Sequence, residues 1–408
     1  MFTLRDYQQD AVDAGVNFFN STDKKDEKPQ VQVLPTGSGK SLIIAGIAKR
    51  LWEPTLVFQP NKEILGQNYQ KAISYGIECS VYSASFNTKE ISNLTYATIG
   101  SVKNKPEYFR HFKNLIVDEA HFVNAKEGMY KNFFEVLGDK KILGLTATPY
   151  RLHNNSFGSE LRFITRTRPR IFYKVNYQVQ IEELFRRGYL TPLEYLQIRG
   201  FESNKLTVNS TGADYTDFSV KAYYKQINFS QILLNTVINL LEKGRRNILV
   251  FTRFVEEAER LVRELPLNSA AAIVSSKMDN KDRESIIRGF KAGRIKVIAN
   301  VGILTHGFDY PELETVVIAR PTRSLGLYYQ MIGRVIRIHP DKPTSLIVDL
   351  CENYDRFGKI EELKLTDPKP GLWQIESNGR QLTNVYLESD QRGVDGNFYS
   401  KMKKSNYY

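Results

Sequence analysis

The segment Leu34-Pro35-Thr36-Gly37-Ser38-Gly39-Lys40-Ser41 constrains this chain more than any other stretch. A short apolar run, 31–34, leads into it, and a helical pattern, 42–51, leads out. A glycine-rich turn between strand and helix lets the backbone wrap an anion, with N–H groups and the positive end of the helix dipole facing it. The spacing therefore predicts a phosphate-binding loop running from Pro35 through Thr36, Gly37, Ser38 and Gly39. Lys40 would reach the β and γ phosphates, and the Ser41 hydroxyl would bind Mg²⁺. Leu34 stands where the wider G-x-x-x-x-G-K-[ST] pattern has its first glycine. Taken alone, the same residues also read as a glycine-rich turn before a helix.

The chain has 408 residues, which suits two domains and a small appendage. Its net charge of +12 favours a polyanionic partner, nucleic acid above all, against the plainer reading of a basic surface. Cys79 and Cys351 offer neither a disulfide framework nor a zinc site, and the five histidines are scattered. No apolar run reaches transmembrane length, and the first residues lack a signal-peptide pattern, so a cytoplasmic location with no membrane partner is expected.

Residues 5–19 read as an amphipathic helix. Apolar runs at 31–34, 55–58, 115–117 and 142–145 then alternate with helical patterns such as 62–75. That alternation predicts a parallel sheet covered by helices. Arg162, Arg166, Arg168 and Arg170 crowd the next stretch, a short helix is expected at 181–187, and 201–217 reads as a loop. A second α/β series follows: helix 232–241 closed by Gly244, strand 248–251, helix 281–291 capped by Asp279 or Asn280, and strands 296–299, 315–319 and 345–348. Asn378-Gly379 marks a hairpin, and the last residues, with Lys401, Lys403 and Lys404, read as a solvated basic tail. The expected division is 1–160, a first lobe carrying the phosphate loop; 161–220, a basic connection; 221–365, a second lobe; and 366–408, a hairpin and tail.

Val117-Asp118-Glu119-Ala120-His121 ends one of the apolar runs. Ligands bind at the C-terminal edge of a parallel sheet. There Asp118 could hold Mg²⁺, and Glu119 could orient and deprotonate an attacking water.

Lys40 with Asp118-Glu119-Ala120-His121 resembles a superfamily 2 helicase of the DEAH-box kind, and other segments match that family in order. Leu4-Arg5-Asp6-Tyr7-Gln8 resembles its adenine-recognition element, which implies nucleotide contacts from Arg5 and Gln8. Gln59, Pro60 and Asn61 lie in a motif Ia-like segment, and Thr98 to Ser101 resembles motif Ib. Thr252-Arg253 resembles motif IV, and Thr305-His306-Gly307-Phe308-Asp309 sits in the motif V place. The resemblance implies nucleic-acid contacts from Gln59, Pro60, Asn61, Thr98, Ser101, Thr252, Arg253 and Thr305, and nucleotide contacts from Gly307 and Asp309. Thr146-Ala147-Thr148 matches the motif III triplet, so Thr146, Thr148 and His121 are expected to couple the ATP site to the bound strand. Gln330 to Arg337 matches motif VI, Q-x-x-G-R-x-x-R. A helix would set Gln330, Arg334 and Arg337 on one face, from which the arginines could reach the γ-phosphate.

The resemblance covers about residues 3–350 and implies two tandem RecA-like α/β domains, with ATP and Mg²⁺ as cofactors. Gly144 to Arg151 and Arg187 to Pro192 look RadD-like and XPB-like, in the neighbourhood of UvsW-type phage branch-migration helicases. The implied function is a monomeric, ATP-dependent DNA helicase or translocase acting on single-stranded, forked or branched DNA. An RNA helicase and a nucleic-acid-binding protein with a vestigial ATPase are the alternatives.

Overall fold

The computed structural model describes residues 3–386, apart from 156, 157 and 306. The tail lysines Lys401, Lys403 and Lys404 lie outside these residues, as does His306. The first lobe is built on β1 (Gln30–Val33), β2 (Thr55–Gln59), β3 (Ser80–Ser83), β4 (Thr88–Lys89), β5 (Leu94–Thr98), β6 (Asn114–Asp118) and β7 (Lys141–Thr146). A hairpin, β8 (Tyr150–Asn155) and β9 (Gly158–Phe163), follows, and β10 (Lys174–Gln178) then returns to the sheet. The order is β10-β1-β7-β6-β2-β5-β3-β4, and every neighbour is parallel except the β3–β4 pair. The central strands are buried end to end, as helices on both faces require, which is why β2 and β6 read as largely apolar runs, while β1 buries Gln30 and Gln32 between its valines.

The second lobe contains β11 (Leu193–Gln197), β12 (Ile248–Thr252), β13 (Ala271–Ser275), β14 (Val297–Val301), β15 (Thr315–Ala319) and β16 (Ser345–Asp349). They form one parallel sheet in the order β11-β16-β15-β12-β14-β13. The architecture is two tandem RecA-like α/β units. Alternation along β12 sends Ile248 and Val250 into the second lobe's own core. Leu249 and Phe251 point the other way, into a core continuous with the first lobe.

The stretch 161–220 is more than a connection. Its strands β10 and β11 become edge strands of the first and second sheets, and Asp217–Gln226 is a helix. Edge strands are half exposed, so Lys174–Gln178 and Leu193–Gln197 carry polar residues and lack an apolar run. The helix at 181–186 ends at Arg187, followed by Gly188 at φ 68°. In the second lobe, Asp279 caps the helix Asn280–Lys291 through the amide of Lys281.

Three short strands close the described chain: β17 (Lys364–Thr366), β18 (Gln374–Ser377) and β19 (Arg380–Gln381). The β18–β19 turn has Asn378 at φ 49° and Gly379 at φ 74°, the two positive values a type I′ turn needs. This small sheet packs on the first lobe. The Gln180 amide bonds both the carbonyl (2.7 Å) and the amide (3.0 Å) of Leu365, and Trp373 stacks on Phe163 at 6.5 Å. Among the described residues, no helix is long and apolar enough to cross a membrane.

Candidate active site

The turn after β1 carries Pro35 to Gly39, and Lys40 is the first residue of the helix Lys40–Arg50. Gly37 and Gly39 adopt φ 82° and 85°. A Cβ at Gly39 would lie 2.6 Å from the Gln8 amide nitrogen, so both conformation and space call for glycine. The loop is latched from the N-terminal helix: Tyr7 Oη and Gln8 Nε2 both donate to the Ser38 carbonyl, at 2.9 and 2.8 Å. Gln8 Oε1 accepts from the Arg5 amide at 3.0 Å. Gln8 is thus buried and bonded inside the protein at both ends of its amide, whereas the resemblance implied contact with adenine. Arg5 does face the cavity, and its guanidinium lies 4.1 Å over the ring of Tyr189.

The C-terminal edge of β6 brings Asp118 and Glu119 beside this loop. Glu119 adopts φ 50°, a left-handed conformation that costs energy in a non-glycine residue. Its carboxylate lies 3.7 Å from Lys40 Nζ and 3.4 Å from His121 Nδ1. His121 Nδ1 is also 2.9 Å from Thr146 Oγ1 and 3.0 Å from Thr148 Oγ1. The expected coupling residues are therefore joined in one chain that starts at the Glu119 carboxylate. Gly144 permits this arrangement, since a Cβ there would lie 2.6 Å from that of Ala120.

Asp118 is buried, and burial followed by repulsion from Glu119 pushes its pKa up; Lys40, the Glu119 amide and Asn68 oppose the shift. Ser41 Oγ donates to Asn68 Oδ1 at 2.5 Å, while Asn68 Nδ2 donates to Gln59 Oε1 at 2.8 Å and Asp118 Oδ2 at 3.2 Å. Asn68 thus spans the two expected Mg²⁺ ligands, a role that the motifs did not mark. A signal was present: Leu65, Asn68 and Ala72 are the buried positions of one helix, so Asn68 is a polar residue on an apolar stripe. Among the described residues, no group of three or more His, Cys, Asp or Glu could hold a metal. A hydroxyl and a carboxylate side by side suit Mg²⁺ shared with phosphate oxygens, which takes few protein ligands.

The second lobe closes over the loop. Gln330, Arg334, Arg337, Gly307 and Asp309 line the same cavity, about 550 Å³, as Thr36, Lys40, Ser41, Asp118 and Glu119. Arg337 pairs with Asp309, which lies 3.4 Å from Lys71 of the first lobe. Arg334 is held by the Phe308 carbonyl at 3.0 Å and the Gln330 carbonyl at 3.2 Å, and burial lowers the pKa of both arginines to about 10. The single-helix expectation for motif VI is corrected. The helix Leu325–Ile332 ends before Arg334, and the turn that follows delivers both arginines to the cleft.

The residues expected to touch nucleic acid divide. Pro60, Asn61, Thr98 and Ser101 lie at the C-terminal ends of β2 and β5, where Asn61 caps a helix through the Ile64 amide and Thr98 bonds Ser101. Gln59 is fully buried against Asn68. Thr252 is buried, its hydroxyl 3.2 Å from the Phe254 carbonyl, and Thr305 is buried as well. The Arg253 guanidinium binds Asp217 at 2.8 Å, the Tyr215 carbonyl at 2.6 Å and Asp214 at 3.4 Å. The placement of Gln59, Thr252 and Arg253 fits internal support, and leaves their carried-over phosphate contacts without a physical basis.

Two α/β lobes, with a glycine-rich loop in one and arginines from the other in a shared cleft, define a tandem RecA-like fold with a candidate nucleotide site between its lobes. Residues 1–151 match the type III restriction enzyme res subunit family, and residues 231–339 match the helicase conserved C-terminal domain. The two matches fall on the two α/β lobes, so each lobe is similar to a family of helicase-related domains. It is 26% identical over 328 residues to a 51.5 kDa protein of a Lactococcus phage, covering 79% of this chain and 66% of that protein. It is 24% identical over 379 residues to the DNA 3'-5' translocase XPB2 of Sulfurisphaera tokodaii, covering 84% and 80%. In fold it resembles the DNA-bound ATP-dependent Type ISP restriction-modification enzyme LlaBIII, with a TM-score of 0.59 and 18% identity over 86% of this chain and 28% of that enzyme. The chain thus spans under two thirds of the length of both the phage protein and LlaBIII.

Proposed function

We propose that the chain is a DNA-dependent ATPase that translocates along, and separates or branch-migrates, forked DNA. The observation that carries this reading is the shared cleft. Lys40 and Glu119 on one wall face Arg334 and Arg337 on the other across a cavity of about 550 Å³. Phosphoryl transfer needs positioning and charge stabilisation more than covalent chemistry. Lys40 neutralises the β and γ phosphates, and Glu119 takes the proton of the attacking water. Arg334 and Arg337 stabilise charge on the transferred group. Ser41 and Asp118 would hold Mg²⁺, which would supply positive charge beside the phosphates.

Arginines from the second lobe bind ATP better than ADP, so nucleotide state favours closed or open lobes by differential contact. The His121–Thr146–Thr148 chain carries that state from Glu119 toward the nucleic-acid face. The likeness to a DNA translocase along 84% of this chain supports DNA as the polynucleotide.

The test measures ATP turnover with and without single-stranded DNA, RNA, a fork and blunt duplex. Stimulation by DNA, with Lys40→Ala abolishing turnover while DNA binding persists at low salt, is the expected result. Turnover indifferent to polynucleotide removes the motor reading, and stimulation by RNA alone assigns an RNA helicase.

A further inference from the structure

Gln59 ends β2 and Asp118 ends β6, neighbouring strands of the first sheet. Val57 lies opposite Ile116, so Gln59 and Asp118, each two residues further on, project from the same face. The helix Lys62–Ser74 covers that face and sets Asn68 against both. All three side chains are buried, Gln59 completely. Every polar atom of the Asn68 side chain is engaged. Its amide nitrogen donates to Gln59 Oε1 at 2.8 Å and to Asp118 Oδ2 at 3.2 Å, and its oxygen accepts the Ser41 hydroxyl at 2.5 Å.

The direction of the Ser41 hydrogen bears on the metal. A hydroxyl binds a cation through its oxygen lone pairs, with the hydrogen turned away. Asn68 accepts that hydrogen, so the Ser41 oxygen keeps its lone pairs for a cation. Asp118 is fixed at both oxygens, Oδ1 by the Glu119 amide at 2.9 Å and Oδ2 by Asn68. Packing alone does not favour this polar pair. Gln59 gives its oxygen to Asn68, while its Nε2 group is buried with no hydrogen-bond partner. An apolar side chain of the same shape would avoid that cost.

We propose that Asn68, backed by Gln59, is a positioning residue that sets the spacing and orientation of Ser41 and Asp118 and so makes the nucleotide site prefer Mg²⁺ to larger divalent cations. The inference rests on the nucleotide site proposed above and adds to it a residue pair that governs which metal it takes. Mg²⁺ demands near-octahedral oxygen ligands at about 2.0–2.1 Å, whereas Ca²⁺ accepts looser geometries at about 2.3–2.6 Å. A side chain that fixes the ligands therefore matters more to Mg²⁺ than to Ca²⁺. Removing a partner of this kind, behind the ligands themselves, typically costs about 10- to 100-fold in metal affinity.

The test follows a fluorescent ADP analogue by anisotropy, so that binding is read without turnover. The full chain is titrated with Mg²⁺ and, separately, with Ca²⁺, beside a metal-free arm in EDTA. Asn68→Leu, close in shape but apolar, is expected to leave the EDTA affinity unchanged and to raise the Mg²⁺ midpoint by about 10- to 100-fold. The Ca²⁺ midpoint is expected to rise by less. Gln59→Leu is expected to shift the Mg²⁺ midpoint in the same direction by a smaller factor. An unchanged Mg²⁺ midpoint in Asn68→Leu makes Asn68 a packing residue and overturns the proposal, as does a loss that is equal on the two ions. Should Asn68→Leu fail to fold, an unchanged Mg²⁺ midpoint in Gln59→Leu overturns it instead. If the unmodified chain binds the analogue neither with Mg²⁺ nor in EDTA, the proposed function fails as well, so the two failures are distinguishable.

Discussion

The phenol of Tyr329, in the second lobe, accepts the amide hydrogen of Thr36, in the phosphate loop, at 3.2 Å. The two lobes meet tightly here, because a Cβ on Gly333 would lie 2.7 Å from Thr36 Cγ2. The glycine-rich loop is therefore an interlobe contact as well as the proposed nucleotide site. Tyr329→Phe leaves the Thr36 N–H without its acceptor, at a cost of about 1–3 kcal/mol where water cannot replace it. The nucleotide-free variant should unfold at lower temperature and show a larger radius of gyration in small-angle scattering. Unchanged values in both would mean that this bond does not hold the lobes together.

Under the proposed function, Arg337 is expected to bear on chemistry more than on folding. It pairs with Asp309 at the cavity wall and lies in a bend outside any helix. Arg337→Ala should lower kcat by about 10³–10⁵ and change KM for ATP far less, the pattern of a group that acts mainly in the transition state. Arg337→Lys should recover little of the loss, since an ammonium lacks the planar fork of a guanidinium. Steady-state kinetics at saturating DNA decides it, and a loss confined to KM assigns Arg337 to ground-state binding.

Arg253 gives the opposite expectation. Its guanidinium is shared among Asp214, Asp217 and the Tyr215 carbonyl, and its side chain is largely buried. Arg253→Ala takes the cation from the half-buried Asp214, which keeps the Arg323 and Tyr215 amides, so the cost falls below the roughly 3–5 kcal/mol of breaking a fully buried pair. Denaturant unfolding should report that loss in the second lobe, while the salt slope of DNA binding stays as it was. A slope reduced without loss of stability would restore Arg253 to the nucleic-acid interface.

The raised pKa of Asp118 has a definite sign. The folded, metal-free protein holds this proton at pH values where the unfolded chain, with its ordinary value of 3.8, has released it. Between the two values the native state binds more protons, so the Asp118 contribution to stability falls as pH rises through that window. Asp118→Asn should remove this slope from thermal unfolding curves taken across that pH range. Adding Mg²⁺ with nucleotide should reverse the slope, because metal binding favours the ionised carboxylate. An identical slope in the variant would assign the effect to another group.

Much of the fold was legible because central strands of a parallel sheet are buried on both faces. Runs such as 55–58 and 142–145 are apolar for that reason, and they mark β2 and β7 directly. The edge strands β10 and β11 were not legible, since one side of each is open and their polar residues read as connection. The turn at Asn378-Gly379 was readable locally, because both residues must tolerate positive φ. The motif VI arginines show a mixed case: their spacing suggested one helix face, while the chain leaves the helix at Ile332 and still delivers both to the cleft.

The sequence by itself determined the parts whose chemistry is local. A glycine loop that must wrap an anion, a lysine at the start of its helix and two carboxylates at a strand end are recognisable wherever they occur. The tertiary structure alone decided which polar groups remain available. Gln8, Gln59 and Arg253 sit within motif-like segments, yet packing turns each of them inward, where neighbours bond Gln8 and Arg253 and the oxygen of Gln59. Asn68 and Tyr329 have no motif at all, and packing makes one a bridge from Ser41 to Asp118 and the other a clasp on Thr36. A hydrogen bond depends on distances between segments far apart in the chain, and those distances exist only once both sheets and the cleft between them have formed.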